Sequence, residues 1–110
     1  MSEETNRLIC NYKELPKGGD LSLLDNIDFK AERKDEILQY LKNEKFFAGT
    51  RCSTLKDFVK KENTHLPTYA YSDGKYFWDD EEIYHFEKYD MRLDEEFVKH
   101  VLKEIDNGKR

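Results

Sequence analysis

The sequence predicts an α+β domain, a small antiparallel sheet with three or four helices packed on it. Three observations carry this reading. Two aromatic, strand-prone runs, Thr68-Tyr69-Ala70-Tyr71 and Lys75-Tyr76-Phe77-Trp78, flank Ser72-Asp73-Gly74, and Asp-Gly supplies the positive φ values of a type I′ hairpin turn. Apolar residues recur at helical spacing over residues 31–43, over 79–89 and from about Leu93 onward. The 110 residues include seven Tyr, seven Phe and one Trp. That is enough for one domain with its own core, since a buried aromatic removes roughly 150–250 Å² from water.

The elements follow in chain order. Residues 1–110 are read as a single domain with 1–6 and 107–110 frayed. Leu8-Ile9-Cys10-Asn11-Tyr12 fits a short strand or a first helical turn. Pro16-Lys17-Gly18-Gly19-Asp20 reads as a turn, and Leu21, Leu23, Leu24, Ile27 and Phe29 follow as an irregular apolar segment. Residues 31–43 read as a helix with Ile37, Leu38 and Leu41 on one face and Tyr40 at its border. Glu32 and Asp35 suit its positive end, and Asn43 can end it in the left-handed conformation. Residues 45–50 read as a strand. Residues 54–60 fit one or two helical turns through Leu55, Phe58 and Val59, with Ser53 or Thr54 as a cap.

In the hairpin near 67–78 side chains alternate between faces. Phe77 with Tyr69 or Tyr71 is expected inside. Tyr76 and Trp78 have the opposite parity and form an exposed aromatic strip unless the next helix folds back over Trp78. That helix is capped by Asp79 or Asp80, begins Asp80-Glu81-Glu82 and turns Ile83 and Phe86 inward, with Tyr84 and Tyr89 at its edges. Met91-Arg92 leads to a last helix whose Phe97, Val98, Val101 and Ile105 form an apolar stripe, and Gly108 ends the fold.

Composition narrows the function classes. No apolar run approaches the roughly 20 residues of a membrane span. Met1 to Arg7 is polar, with no apolar segment of a signal peptide, so a cytoplasmic protein is expected, with Cys10 and Cys52 as reduced thiols. A pI near 5.2 disfavours nucleic acid as a partner, because neutralising phosphate needs a basic face. The net charge is −5 and is unevenly placed. From Asp79 to Asp106 eleven acids face four bases, whereas residues 1–78 hold thirteen of each.

From Asp35 to Leu102 the chain resembles a family of small bacterial proteins of unassigned biochemistry. The resemblance rests on Tyr40-Leu41-Lys42 at a helix end, on Asp73-Gly74-Lys75-Tyr76-Phe77-Trp78, on Tyr84 with Glu87-Lys88-Tyr89, and on Leu93-Asp94-Glu95-Glu96-Phe97-Val98-Lys99-His100. The chain departs from the pattern at Glu44, where the family usually has Gly, and at Asp94, where it often has Pro. The resemblance implies a loose association with immunity or inhibitor-like proteins that accompany bacterial toxins, and it transfers no reaction.

The candidate sites are few. His85 and His100 are fifteen positions apart on different helices and His65 is in a loop, a spacing that does not match a zinc site. A hydrogen bond at the helix edge is the expected role of His100. Asp79-Asp80-Glu81-Glu82 lacks the alternating ligand spacing of a calcium loop and reads as helix-start acids. No cofactor and no metal are expected.

The leading reading is a non-enzymatic protein-binding domain whose acidic C-terminal helical face meets a basic partner such as a toxin domain. Toxin nucleases are basic because their substrate is rich in phosphate. The expected contacts are Asp79, Asp80, Glu81, Glu82, Asp94, Glu95 and Glu96, with Tyr76. The alternatives are a small enzyme or metal-binding domain using His85 or His100, and an oligomeric accessory domain with the aromatic strip as a homodimer seam.

Overall fold

The computed structural model describes residues 7–10, 12, 13, 19 and 21–108, and of residues 7, 8 and 49–53 the backbone alone. The reading of residues 1–6, and all but Gly19 of the expected turn at 16–20, lie outside the described residues. The fold is α+β. Its strands are β1 (Arg7–Leu8), β2 (Phe47–Asp57), β3 (Glu62–Ser72) and β4 (Tyr76–Asp79), and its helices α1 (Lys34–Leu41), α2 (Asp80–Tyr89) and α3 (Glu95–Gly108). Single 3₁₀ turns occupy Leu24–Asn26 and Glu44–Phe46. Among the described residues no helix is long and apolar enough to cross a membrane.

The sheet order is β1-β4-β3-β2. β2, β3 and β4 are antiparallel, and the two-residue β1 adds in parallel to the far side of β4. Of the described residues in the segment Leu8–Tyr12 only Leu8 lies in this strand, while Tyr12 makes an isolated bridge to Leu21, and Ile9, Cys10 and Tyr12 are buried in the core.

The expected hairpin is present, with Ser72 opposite Phe77 and Tyr71 opposite Trp78. Its turn is not type I′, which needs positive φ at both central residues. Gly74 alone is left-handed there, at φ 96°. Asp73 instead folds its carboxylate back onto the backbone N–H groups of Lys75 and Tyr76, at 3.0 and 2.9 Å. That side-chain turn supplies the reversal which a second left-handed residue would otherwise make.

Residues 54–60 are not helical. β2 runs on to Asp57, with Leu55 and Asp57 buried and Lys56 exposed between them. The apolar spacing fits one helical turn taken alone. Pairing of Thr54 with Pro67 and Lys56 with Asn63, together with α2 laid across the inner face, selects the alternating pattern. The first helix is also shorter than its apolar pattern, so Glu32 precedes it. Arg33 at its N-cap is left-handed (φ 57°). Asn43 is extended rather than left-handed, and its side chain accepts from Lys45 N–H at 3.0 Å to start the next 3₁₀ turn. α3 runs through Asn107 and Gly108, two residues expected to fray.

Phe77 is not the inner residue expected, and the face of Tyr76 and Trp78 is the one covered. Tyr76 and Trp78 are buried, at 3% and 0% exposure, and Phe77 is only partly covered. α1 and α3 close over this face. Trp78 Nε1 donates to the carbonyl of Leu41 at 3.0 Å, and its ring lies 5.7 Å from Phe97, 5.9 Å from Phe46 and 6.2 Å from Tyr40. The aromatic strip is therefore the centre of the core and offers no seam to a second copy.

Candidate functional site

The acids that open α2 are structural. Asp79 is the N-cap and accepts from the N–H groups of Glu81 and Glu82. Glu82 returns the bond to Asp79 N–H at 3.0 Å, which completes a capping box. Its other oxygen accepts from the buried Cys10 thiol at 3.2 Å, so that thiol anchors the N-terminal segment. Glu81 accepts from Lys56 N–H at 2.9 Å and ties β2 to the helix. Asp80 is half-buried and accepts from Tyr69 N–H, and burial raises its carboxyl above the usual range against the pull of that bond and of Tyr71.

Asp79, Glu81 and Glu82 are thus 6%, 2% and 2% exposed, and with buried Tyr76 they are withdrawn from the expected contact set. The acids could be recognised in sequence as helix-start residues, but their inward bonds depend on β2 and β1 lying alongside. Asp94, Glu95 and Glu96 are exposed where α3 begins. Asp94 and Glu95 border a hollow of about 290 Å³ beside Tyr12 and Arg92. Glu95 also borders a neighbouring, more apolar hollow of about 360 Å³ that contains Phe29 and Val98.

Sequence reasoning missed a buried polar centre around Asp57. Its carboxylate accepts from Tyr84 and Tyr89 hydroxyls at 2.6 and 2.5 Å and from Val59 and Lys60 N–H at 3.0 and 2.8 Å. Burial alone would raise this carboxyl, but the hydrogen bonds outweigh it and hold it down at about 2. The same bonds push the Tyr84 hydroxyl up to about 12, after burial as the larger cause.

His85 sits next to this centre at 0% exposure. Its Nε2 accepts from Phe58 N–H at 3.0 Å, so Nδ1 carries the proton that reaches the Glu81 carbonyl at 2.7 Å. Both ring nitrogens are engaged, and His85 is a strut between β2 and α2. A second proton on Nε2 would oppose the Phe58 N–H, and burial holds the imidazole pKa below its ordinary 6.5. The unfolded chain takes up that proton near pH 6.5 while the folded chain does not. Stability should therefore fall as the pH drops from about 6.5 towards the folded value. Urea midpoints at pH 7.5 and 5.5 test this: His85→Gln should remove most of the difference seen in the native chain.

The third histidine of the sequence, His65, is exposed in β3 with a left-handed backbone (φ 64°). His100 does make a hydrogen bond at its helix edge, to Asp73 Oδ2 at 2.8 Å. Tyr40 donates to the same oxygen at 2.6 Å. Burial would raise the Asp73 carboxyl, yet Tyr40, the turn N–H groups and His100 together lower it. Residues from α1, the hairpin turn and α3 thus meet at one carboxylate. They are drawn from three separate segments of the resemblance pattern, which is the signal that could have grouped them.

This cluster lies on the wall of a cleft of about 580 Å³ between α1 and α3, with Glu36, Lys45, Phe46 and Glu104 also lining it. Among the described residues that line the cleft the one hydroxyl is that of Tyr40, which is engaged with Asp73. Among the described residues no group of three or more His, Cys, Asp or Glu converges to hold a metal ion. No protein-family model, curated protein or solved structure matches the chain.

Proposed function

We propose that this is a non-enzymatic protein-binding domain of the cytoplasm, immunity- or inhibitor-like, whose acidic side at α3 receives a basic partner such as a toxin domain. The contrast between its two sets of acids carries this reading. Asp79, Glu81 and Glu82 serve the fold, whereas Asp94, Glu95 and Glu96 are exposed where α3 begins, with Glu95 at the margin of the apolar hollow. Acids there steer a basic partner, and apolar surface beside them retains it. Co-purification with the basic proteins encoded beside its gene is the test. A one-to-one complex is expected, with an association rate that falls steeply with salt. Changing Asp94, Glu95 and Glu96 together to Lys should slow association on the order of tenfold with little change in thermal stability. Absence of any complex between 25 and 150 mM salt would sink the proposal.

One observation favours a second reading, in which the α1–α3 cleft binds a small polar ligand. The Tyr40–Asp73–His100 cluster lies on its wall, with both outer groups held in place. On that reading a ligand soaked from a fragment collection would protect His100 from carbethoxylation, and His100→Ala would abolish its binding.

A further inference from the structure

Among the described residues, three of the five large apolar side chains that stand about half exposed, Leu21, Leu24 and Phe29, fall on one short segment before α1 (49%, 50% and 50%). Leu21 and Phe29 of this segment line one side of a groove, and the start of α3 lines the other. The two hollows already described adjoin here, with Arg92, Leu93 and Glu95 lining both. Phe86, Val98 and Leu102 form the apolar floor near Phe29.

The Phe29 wall is fixed. Asp28 and Phe29 donate their N–H groups to the carbonyls of Tyr89 and Asp90 at 2.8 and 3.0 Å, and Arg92 N–H returns to Asn26 at 2.8 Å. Asp28 and Lys30 on either side of Phe29 are both left-handed, at φ 62° and 57°. For residues other than glycine that conformation costs about 1 kcal/mol or more each. The chain maintains this backbone while it presents a phenyl ring to water.

Acids rim the groove: Glu32 lines it on one side and Asp94 and Glu95 on the other, and Asp25, Asp28 and Glu96 are further exposed acids on the same two segments. The bases on this rim are Lys30 and Arg92, and the Arg92 guanidinium already lies over the Phe29 ring, 5.0 Å from its centre. An apolar floor within an acidic rim matches one kind of occupant. We infer that the groove docks a basic amphipathic segment of the partner, which places an apolar side chain beside Phe29, Val98 and Leu102 and turns Lys or Arg towards Glu32 and Asp94–Glu96. This rests on the binding role proposed above and specifies its partner. A second copy fits poorly, because a two-fold contact would set the acidic rims against each other. An anionic lipid surface is repelled by the same rim.

Two synthetic peptides of equal positive charge test the inference by amide NMR titration in 50 mM salt. One alternates Lys with Leu at helical spacing, and the other has Ser in place of every Leu. The Leu peptide is expected to bind at least tenfold more tightly and to shift the amides of Phe29, Val98 and Leu102. Phe29→Ser should remove that advantage without altering the Ser peptide, and Glu95→Lys with Glu96→Lys should weaken both. Equal binding of the two peptides, or shifts centred on the α1–α3 cleft, overturns the groove and leaves the acidic-face reading standing. Failure of both peptides to bind overturns both. A concentration-dependent dimer that shifts the same amides assigns the groove to a second copy and also overturns the inference.

Discussion

Trp78→Ala is expected to destabilise the protein by about 4 kcal/mol or more, close to the whole stability of a marginal domain. The indole is completely buried and touches the rings of Phe97, Phe46 and Tyr40, which belong to α3, to the turn after α1 and to α1 itself. Truncation opens a cavity that three elements would have to collapse to fill. It also leaves the Leu41 carbonyl, where α1 ends, without the indole N–H. Trp78→Phe keeps much of the volume and loses that bond, so it should cost roughly half as much. The chain has one tryptophan, so unfolding of both variants must be followed by circular dichroism rather than fluorescence. At a slope of about 2 kcal/mol/M, the alanine variant should lower the urea midpoint by about 2 M or leave no folded baseline. A shift under about 0.5 M would mean that the face over β4 is far looser than its contacts imply.

Asp57→Ala should be nearly as severe, at about 3–5 kcal/mol, because it orphans two tyrosine hydroxyls and two backbone N–H groups around a 2% exposed position. Asp57→Asn keeps an acceptor for the backbone pair and should cost about half of that. The same centre sets an acid limb of stability. A carboxyl near 3.8 in the unfolded chain and about 2 in the folded one contributes roughly 2 kcal/mol above pH 4. That contribution is lost as the pH falls from about 4 through 2, below the range in which His85 acts. Urea titrations at pH 5, 3.5 and 2.5 should therefore steepen in loss for the native chain and run flatter for Asp57→Asn. Parallel profiles for the two proteins would show that the Asp57 carboxylate is not selectively stabilised by the fold.

Much of the local structure was legible in the residues. The paired aromatic runs around Asp73-Gly74 read correctly as a hairpin, Asp79 as a cap, Ile83 and Phe86 as an inner face, and Phe97 with Val101 as a buried stripe. These signals are local: a turn needs a residue that accepts positive φ, a helix start needs an acceptor, and a helix face needs apolar residues about every 3.6 positions. The misreadings have a common cause. Alternation in a strand distinguishes two faces but does not say which is covered, so Phe77 reads as the inner residue, and whether Tyr76 and Trp78 are buried depends on the helices that pack over them. Leu55, Phe58 and Val59 satisfy a helical turn locally, and only pairing with β3 decides for a strand as far as Asp57.

The acids show the division most clearly. Their number and their concentration after Trp78 are properties of the sequence, as are the capping role of Asp79 and the amphipathic pattern of α3. Which acids meet solvent is a property of the folded chain. Glu81 and Glu82 turn inward because β2 and the N-terminal segment bring a backbone N–H and a thiol to them, while Asp94, Glu95 and Glu96 stay exposed where α3 begins, the first two beside the groove. The meeting of Tyr40, Asp73 and His100 at one carboxylate, and of Tyr84 and Tyr89 at Asp57, likewise joins residues between 27 and 33 positions apart. A buried carboxylate requires donors on several sides, and neighbours in sequence cannot supply them all. The sequence determines the elements and their charges; packing decides which of those charges remain for a partner.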